Sequence, residues 1–391
     1  MSAAADVYQG TRLVATISRT NLGYRVDLLP HAELNKGRLA TSLPASAFPV
    51  ESAELHPFFL NLLPEGARLQ LLLDTARSND DTLDLLLRVG WDAVGDVAIV
   101  AAGKFLQPDT SAKVDNPALV SFRELFESSA LRDAAIAGVQ EKLSDATIAF
   151  SVGRAGRHPA ILKLNPRAYP RLVQNEAFFL RVGAACGIEV NRAELIEDQT
   201  GEFGLLVTRF DRVKKGKTIT KLHQEDGCQL LDLVPARKYR PTMRQIAEAL
   251  QAHASAPVVE GQRLLRLIVF SYLIGNCDLH AKNISLLWRE VVTLSPAYDL
   301  LSTLPYPGLS RNMALTLEGK DDNFKVADFE AFGGRLGVPT AATRKLITKL
   351  TTSLGPWLLR LDEIGYDVAT TDALRREIGR RIDRLTESLS I

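Results

Sequence analysis

Short alternations of apolar and polar residues dominate the first hundred positions. They predict strands over Asp6–Ile17 and Tyr24–Leu29, and a further strand over Val97–Ala102. A helix over residues 82–88 is predicted between them, because a polar capping residue precedes it and a glycine follows it. We therefore expect a mixed N-terminal unit formed by residues 1–103.

The pattern changes after this unit. A polar stretch with two prolines predicts a linker over residues 104–120. Residues 121–212 then predict a small lobe, an antiparallel sheet with one helix on it. Its elements are expected at 146–152 (strand), 160–164 (strand), 175–186 (helix), and 195–196 with 203–207 (hairpin).

Residues 213–391 have mainly helical patterns. Helices are predicted at Glu225–Leu231, Met243–Ala252, Leu264–Ile274 and most of Ala341–Ser388, with one hairpin that pairs Ile284–Trp288 with Val291–Leu294. A small β-rich lobe followed by a larger helical lobe is an α+β fold, and a ligand is expected in the cleft between the lobes.

Composition narrows the class of protein. The chain has 391 residues, of which 46% are hydrophobic and 24% charged, so it is expected to fold into two or three domains. Its formal net charge of +1 favours neither a nucleic acid nor a membrane as a direct partner. Three scattered cysteines and the absence of an apolar signal sequence predict a cytoplasmic protein.

The segment 275–283, GNCDLHAKN, is the first candidate for chemistry. It follows an apolar helix, precedes a hairpin, and carries Asp278 and Asn283 five positions apart. Phosphoryl transfer needs a carboxylate that accepts the proton of an attacking hydroxyl, and an amide oxygen that binds Mg²⁺ between the phosphates. Asp299, in PAYDLL just past the hairpin, could supply a second magnesium ligand. The alternative is a loop whose Asn and Asp side chains only cap neighbouring elements.

A kinase also needs a cation for the phosphates. Lys163 lies at the centre of the apolar strand ILKLNP, where a lysine is costly to bury unless it is paired. Glu176, on the following helix, is the expected partner, although Lys163 could instead be an edge lysine that reaches solvent. A phosphate-binding loop is expected just before the sheet, although it has neither a GxGxxG nor a Walker pattern, at Ala137, Gly138, Val139, Gln140, Glu141 and Lys142.

A metal-dependent hydrolase is a competing hypothesis. Asp278, His280 and Asp299 are acceptable metal ligands as a set. This alternative gives no role to Lys163 or Glu176, so we rank it below the kinase.

Ten segments in order along the chain resemble the HipA family, the serine/threonine kinases of bacterial toxin–antitoxin pairs. These segments are FFLNLLPEG (58–66), VGWDAVGDV (89–97), AGVQEKLS (137–144), ILKLNP (161–166), NEAFFLRVGAACGI (175–188), TRFDR (208–212), HQEDGCQ (223–229), KYR (238–240), IGNCDLHAKNISLL (274–287) and PAYDLL (296–301). The resemblance implies a protein-kinase-like two-lobed core preceded by an N-terminal α+β subdomain.

The resemblance also implies roles for individual residues. Asp278 would be the catalytic base, Asn283 and Asp299 would bind Mg²⁺, and Lys163 would contact the phosphates of ATP. Segment 137–142 would be the glycine-rich loop. The adenine would be enclosed by the backbone of Thr208 and Phe210 and the side chains of His280 and Tyr298.

The family resemblance implies partners as well. The expected partner is a HipB-like helix-turn-helix antitoxin that binds operator DNA, so any contact with DNA would be made through that complex. The expected substrate is a protein, and glutamyl-tRNA synthetase is the best-known target of the family. A non-catalytic co-repressor of the antitoxin is the alternative function.

One position departs from the family pattern. A serine just before the glycine-rich loop can be autophosphorylated in this family, and the aligned residue here is Ala135. We therefore expect no autophosphorylation of this loop.

Overall fold

The computed structural model describes residues 4–74, 76–106, 112–113, 119–122, 124, 148–153, 158–216 and 218–389. Its strands are β1 Ala5–Gln9, β2 Arg12–Thr20, β3 Gly23–Leu28, β4 Arg38–Ala40, β5 Leu43–Pro44, β6 Val50–Ser52, β7 Val97–Ala101, β8 Ala112–Lys113, β9 Ile148–Gly153, β10 Ala160–Leu164, β11 Ala193–Glu197, β12 Phe203–Thr208, β13 Arg212–Lys215, β14 Thr218–Lys221, β15 His223–Asp226, β16 Ser285–Trp288 and β17 Val292–Leu294. Its α-helices are α1 Pro57–Leu60, α2 Gly66–Asp74, α3 Thr82–Val89, α4 Leu172–Ala185, α5 Gly227–Leu230, α6 Met243–His253, α7 Pro257–Ile274, α8 Val326–Arg335, α9 Thr340–Leu354 and α10 Val368–Leu389.

The N-terminal unit is an antiparallel sheet in the order β6-β3-β2-β1-β7. Its apolar residues, with those of α1 and α3, form a core of their own within residues 4–99. The expected strand Asp6–Ile17 is in fact a hairpin, because Gly10 turns the chain with a φ of +63° between β1 and β2. Helix α3 begins at Thr82 as predicted, because Asp81 and Asp84 form a reciprocal capping box, and it ends at Val89, one residue later than predicted and just before Gly90.

The second sheet has the order β11-β12-β10-β9-β8. It is antiparallel except for the short parallel pair of β8 with β9. β10 is its middle strand, and Lys163 on β10 lies opposite Leu205 on β12 and Ala149 on β9. The sheet with helix α4 on it is the small lobe that the alternation predicts.

The largest hydrophobic core joins α4 and β12 to the helices that follow. Helix α7 lies inside it, and of the stretch 264–274 every residue except Arg266 is buried. Gly275 ends α7 with a φ of +69°, and a Cβ there would lie 2.2 Å from Leu304. Only glycine fits this position, so the chain leaves the buried helix directly into segment 275–283.

The helical part differs from the sequence prediction in three places. Glu225–Leu231 is not one helix, because Glu225 and Asp226 belong to β15, which pairs with β16. Helix α8 and the hairpin β13–β14 were not predicted. Asp226 instead caps the short helix α5 that follows the strand.

A buried cluster of charges joins the N-terminal unit to the small lobe. Asp92 accepts hydrogen bonds from Arg209 at 2.7 Å and from Arg212 at 3.0 Å. Both arginines also bind Asp211, whose carboxylate accepts the backbone N–H of Gly95 at 3.1 Å. Every charge in this cluster is paired, as the burial of charged groups requires.

Among the described residues, no helix is both long and apolar enough to cross a membrane.

Candidate active site

Lys163 is the centre of the candidate site. Its ammonium donates to both carboxylate oxygens of Glu176, at 2.7 and 2.8 Å, and also to the carboxylate of Asp299. Lys163 and Glu176 are buried, whereas the Asp299 side chain is 37% exposed. The expected contact between the strand lysine and the helix glutamate is therefore present, and the alternative of an edge lysine in solvent is wrong.

The charges of this cluster stabilise one another. Burial by itself lowers the pKa of Lys163, but the carboxylates of Asp299 and Glu176 outweigh it and raise that pKa above its usual value. Burial also raises the pKa of Glu176, which Lys163 opposes. The result is a charged lysine between two carboxylates, of which that of Asp299 is partly exposed.

Asp278 and Asn283 lie on the same short loop, as their spacing predicts. The side-chain amide of Asn283 donates to the backbone carbonyl of Asp278 at 2.9 Å. The donor of this bond is the amide nitrogen, so the bond does not use the amide oxygen of Asn283. The carboxylate of Asp278 accepts a hydrogen bond of 2.6 Å from the hydroxyl of Tyr239, which holds it in one orientation.

Asn276 connects the two acidic segments. Its side-chain oxygen accepts the backbone N–H of Asp278 at 3.3 Å, and its side-chain nitrogen reaches the backbone carbonyl of Asp299 at 3.4 Å. Asp299 itself has a φ of +52°, a conformation that is uncommon for a residue with a side chain. Such outliers concentrate at functional sites, where the surrounding structure holds them.

Two of the expected adenine-pocket residues are in contact. The rings of Phe210 and Tyr298 lie 5.6 Å apart between centroids. Thr208, at the end of β12, uses its backbone N–H to bond Arg192 at 2.8 Å. His280 is buried and its ring meets that of Tyr239 edge-on at 5.0 Å, so it lies on the Asp278 side of the site.

The expected phosphate-binding loop, residues 137–142, lies outside the described residues, as does Ala135. The linker expected at 104–120 lies mostly outside them as well. These three expectations remain predictions.

The metal-dependent hydrolase finds no support in the geometry. Within the described part of the chain, no three His, Cys, Asp or Glu side chains converge in a way that could hold a metal ion. Asp278, His280 and Asp299 therefore do not form the ligand set that this alternative needs. A Mg²⁺ site in a kinase does not need three such side chains, because one carboxylate and one amide oxygen can be completed by phosphate oxygens.

Sequence reasoning missed Tyr239 and Asn276. Tyr239 lies 39 residues before the carboxylate that it binds, and no periodicity relates the two. Asn276 was part of the polar loop, but its role as a link between Asp278 and Asp299 depends on a contact across 23 residues. Only the matching segment KYR marked the neighbourhood of Tyr239 in advance.

A β-rich lobe with a strand lysine held by a helix glutamate faces a loop with an aspartate and an asparagine five residues apart. This arrangement defines the protein-kinase class of folds. Comparison with known families gives the particular one. Residues 5–100 match the HipA N-terminal domain and residues 134–357 match the HipA-like C-terminal domain. The chain belongs to the HipA family.

Individual relatives agree with this assignment. The putative kinase Y4mE of Sinorhizobium fredii is 32% identical over 84% of each chain. The serine/threonine-protein kinase toxin HipA of Shewanella oneidensis is 27% identical over 77% of this chain and 75% of that one. A solved complex of Shewanella oneidensis HipA with HipB and its operator DNA superimposes with a TM-score of 0.81 at 19% identity, and covers 99% of this chain and 98% of that chain. At this identity the structural match concerns the fold.

Proposed function

We propose that this protein is a serine/threonine protein kinase that transfers the γ-phosphoryl group of ATP to a protein hydroxyl. The observation that carries the proposal is the joint contact of Lys163 with Glu176 and Asp299. In protein kinases a strand lysine paired with a helix glutamate contacts the nucleotide phosphates, and a nearby aspartate binds the magnesium ions. The kinase names of two relatives support it.

The magnesium ligands follow from the donor set. Asp299 offers a partly exposed carboxylate, and Asn283 offers an amide oxygen that its hydrogen bond to the loop backbone does not use. Hard oxygen ligands of this kind fit Mg²⁺, which neutralises charge on the transferring phosphates when bound. Lys163, which contacts the Asp299 carboxylate, would add a second positive charge near the phosphates.

Asp278 is proposed as the base. The substrate hydroxyl oxygen forms a bond to the γ-phosphorus, the bond from that phosphorus to the β–γ bridging oxygen breaks, and ADP leaves. The hydroxyl proton passes to the carboxylate of Asp278. Tyr239, bonded to one oxygen of this carboxylate, keeps it aligned for the transfer.

The adenine is proposed to lie against the Phe210–Tyr298 pair. The hydroxyl of Tyr298 donates to the backbone carbonyl of Lys282 at 2.6 Å and pairs with Ser285 at 2.6 Å. These bonds anchor the Tyr298 ring, so a planar base can pack beside it without ordering a mobile side chain.

The cellular role is proposed from the family. A HipB-like helix-turn-helix antitoxin is the proposed partner, and operator DNA would be contacted through that complex. The target is proposed to be a translation protein such as glutamyl-tRNA synthetase. The structural match to a HipA–HipB–operator complex supports the partner.

The test is transfer of ³²P from γ-labelled MgATP into a bacterial lysate by wild type and by Asp278→Asn. The variant keeps the size of the side chain and its acceptor for Tyr239, so the fold is preserved. A labelled protein band is expected with wild type only, since a general base contributes about 10²–10⁴-fold to the rate. ATP binding should be retained in both proteins.

Two outcomes contradict the proposal. Equal labelling by both proteins would remove Asp278 from the role of base. Failure of wild type to bind MgATP would remove the nucleotide site altogether.

A further inference from the structure

A segment of the N-terminal unit reaches the loop that carries Asp278 and Asn283. We call residues 57–66 the anchor segment and residues 275–283 the polar loop. The ammonium of Lys282, in the polar loop, donates to the side-chain oxygen of Asn61 in the anchor segment at 3.0 Å and lies 3.4 Å from the backbone carbonyl of Asn61. It also donates to Asp226 at 2.6 Å.

Asn61 is held in place for this contact. Its side-chain nitrogen donates to the carbonyls of Pro57 and Leu233, both at 2.8 Å, and the residue is 8% exposed. The amide nitrogen of Asn61 is therefore used by two carbonyls, and its oxygen is the atom that accepts the hydrogen bond from Lys282. A buried amide with every bond made is a rigid support, because leaving any of these groups unpaired would be costly.

A second contact supports the other side of the polar loop. Glu65, also in the anchor segment, pairs with Lys238 at 3.3 Å. The backbone carbonyl of Lys238 accepts the N–H of Ala281 at 3.1 Å, and the next residue, Tyr239, binds the carboxylate of Asp278. Glu65 thus connects to the polar loop through Lys238.

Helix α5 closes the space between these contacts. A Cβ at Gly227 would lie 2.7 Å from the backbone oxygen of Ala281, so the helix touches the polar loop backbone directly. Asp226, which binds Lys282, caps this helix through the N–H groups of Cys228 and Gln229. The polar loop has little room to move as long as Lys282 stays bound.

We propose that Asn61 and Glu65 are positioning residues for phosphoryl transfer, through which the N-terminal unit sets the orientation of Asp278 and Asn283. The proposal rests on the kinase function argued above. The positioning role follows from the place of Lys282 in the polar loop, four residues after Asp278 and directly before Asn283. Displacement of Lys282 therefore shifts both groups, while Lys163 on β10 and Glu176 on α4 keep their places.

The experiment compares Asn61→Ala and Glu65→Gln with the control Thr41→Val. Thr41 also joins the N-terminal unit to the rest of the chain, because its hydroxyl donates to Glu225 at 2.6 Å, but it does not touch the polar loop. Hydrogen–deuterium exchange of the peptide spanning 276–284 is measured in the full-length proteins. Label transfer from γ-labelled ATP is measured at low and at saturating ATP.

Asn61→Ala is expected to raise exchange at 276–284 at least tenfold and to leave exchange in β1–β3 unchanged. It should lower transfer at saturating ATP by about 10–100-fold, because small misplacements of reacting groups carry penalties of this size. The KM for ATP should change by less than about threefold, since Lys163 is undisturbed. Glu65→Gln should act in the same direction with a smaller effect. Thr41→Val should change neither the exchange at 276–284 nor the rate of transfer.

The two kinds of failure are distinguishable. If wild type transfers no phosphate, the kinase function fails, and the exchange experiment still decides whether the anchor segment holds the polar loop. If Asn61→Ala and Thr41→Val give equal exchange at 276–284, the positioning role is wrong. The positioning role would also be wrong if exchange increased over the whole N-terminal unit, because Asn61 would then only stabilise the fold of that unit.

Discussion

Lys163 and Asp299 form a direct ion pair although 136 residues separate them in the chain. The pair joins the middle strand of the small lobe to the segment that follows the last hairpin, β16–β17. Since Glu176 binds the same ammonium, one lysine connects a strand, a helix and the loop that carries Asp299.

Lys163→Met should destabilise the fold as well as abolish ATP binding. Its removal leaves Glu176 and Asp299 without a cation, at a cost of roughly 3–5 kcal/mol. The double variant Lys163→Met/Glu176→Gln should recover much of this stability, because the buried charge is also gone, but should not bind ATP. Thermal unfolding and ATP titration separate the two effects. ATP binding by the double variant at wild-type affinity would show that Lys163 is only structural.

Tyr239→Phe should slow phosphoryl transfer about tenfold, less than Asp278→Asn, because the base stays but its orienting hydrogen bond is lost. Tyr366→Phe is the matched control, since its hydroxyl binds Tyr306 and Asn175 instead. The comparison uses initial rates at saturating MgATP. Identical rates for the two tyrosine variants would mean that Tyr239 does not orient Asp278.

His223 should make stability fall at alkaline pH. It lies between Asp96 at 2.6 Å and Glu225 at 2.8 Å, with the ring of Trp288 packed edge-on against it. Burial opposes protonation, but these two carboxylates raise the pKa of His223 from 6.5 to about 9. Because the folded pKa is the higher one, the stabilisation is complete below about pH 6.5 and is lost as the pH rises through about 9.

The expected loss is about 3 kcal/mol between pH 6 and pH 10. Urea unfolding at a series of pH values measures it. Because other groups, such as Lys221 with its pKa lowered to about 8, titrate in the same range, the quantity to follow is the difference in the free energy of unfolding between wild type and His223→Gln. This difference should be largest at pH 6 and shrink towards pH 10, and a difference that stays constant over this range would contradict the protonated state of His223.

Asp92→Ala should uncouple the N-terminal unit from the small lobe. It removes the acceptor that Arg209 and Arg212 share, and leaves two buried guanidinium groups with Asp211 alone, at a cost of about 3–5 kcal/mol. Glu51→Ala breaks a largely exposed ion pair with Arg25, which solvent screens, so it should change the melting temperature little. Calorimetric unfolding compares the two variants, and equal melting temperatures would show that the buried cluster does not hold the units together.

The parts of the fold that the sequence predicted are local. Helix α3 could be located because Asp81 caps it and Gly90 ends it, which are interactions within one or two turns. The Lys163–Glu176 contact was within reach for the same reason, since only 13 residues separate the two. Asp278 and Asn283 could be placed on one loop for the same reason, since they are only five residues apart.

Some of the errors arose where a distant partner decides the structure, although the hairpin β13–β14 and helix α8 are local elements that were also missed. The stretch 225–231 has a helical pattern, yet its first two residues form a strand because β16, about 60 residues later, offers an edge to pair with. The roles of Tyr239 and Asn276 were not predicted, because the residues that they bind, Asp278 and Asp299, lie 39 and 23 residues away.

The sequence by itself determined helix α3, the hairpin β16–β17, the candidate catalytic side chains and their spacing, because these depend on neighbours a few residues apart. Only the tertiary structure decided that Asp299 joins Lys163, and that Asn61 binds Lys282 across 221 residues. The physical reason is that local pattern specifies which face of an element is apolar, whereas the partner of a buried polar group depends on how the elements pack.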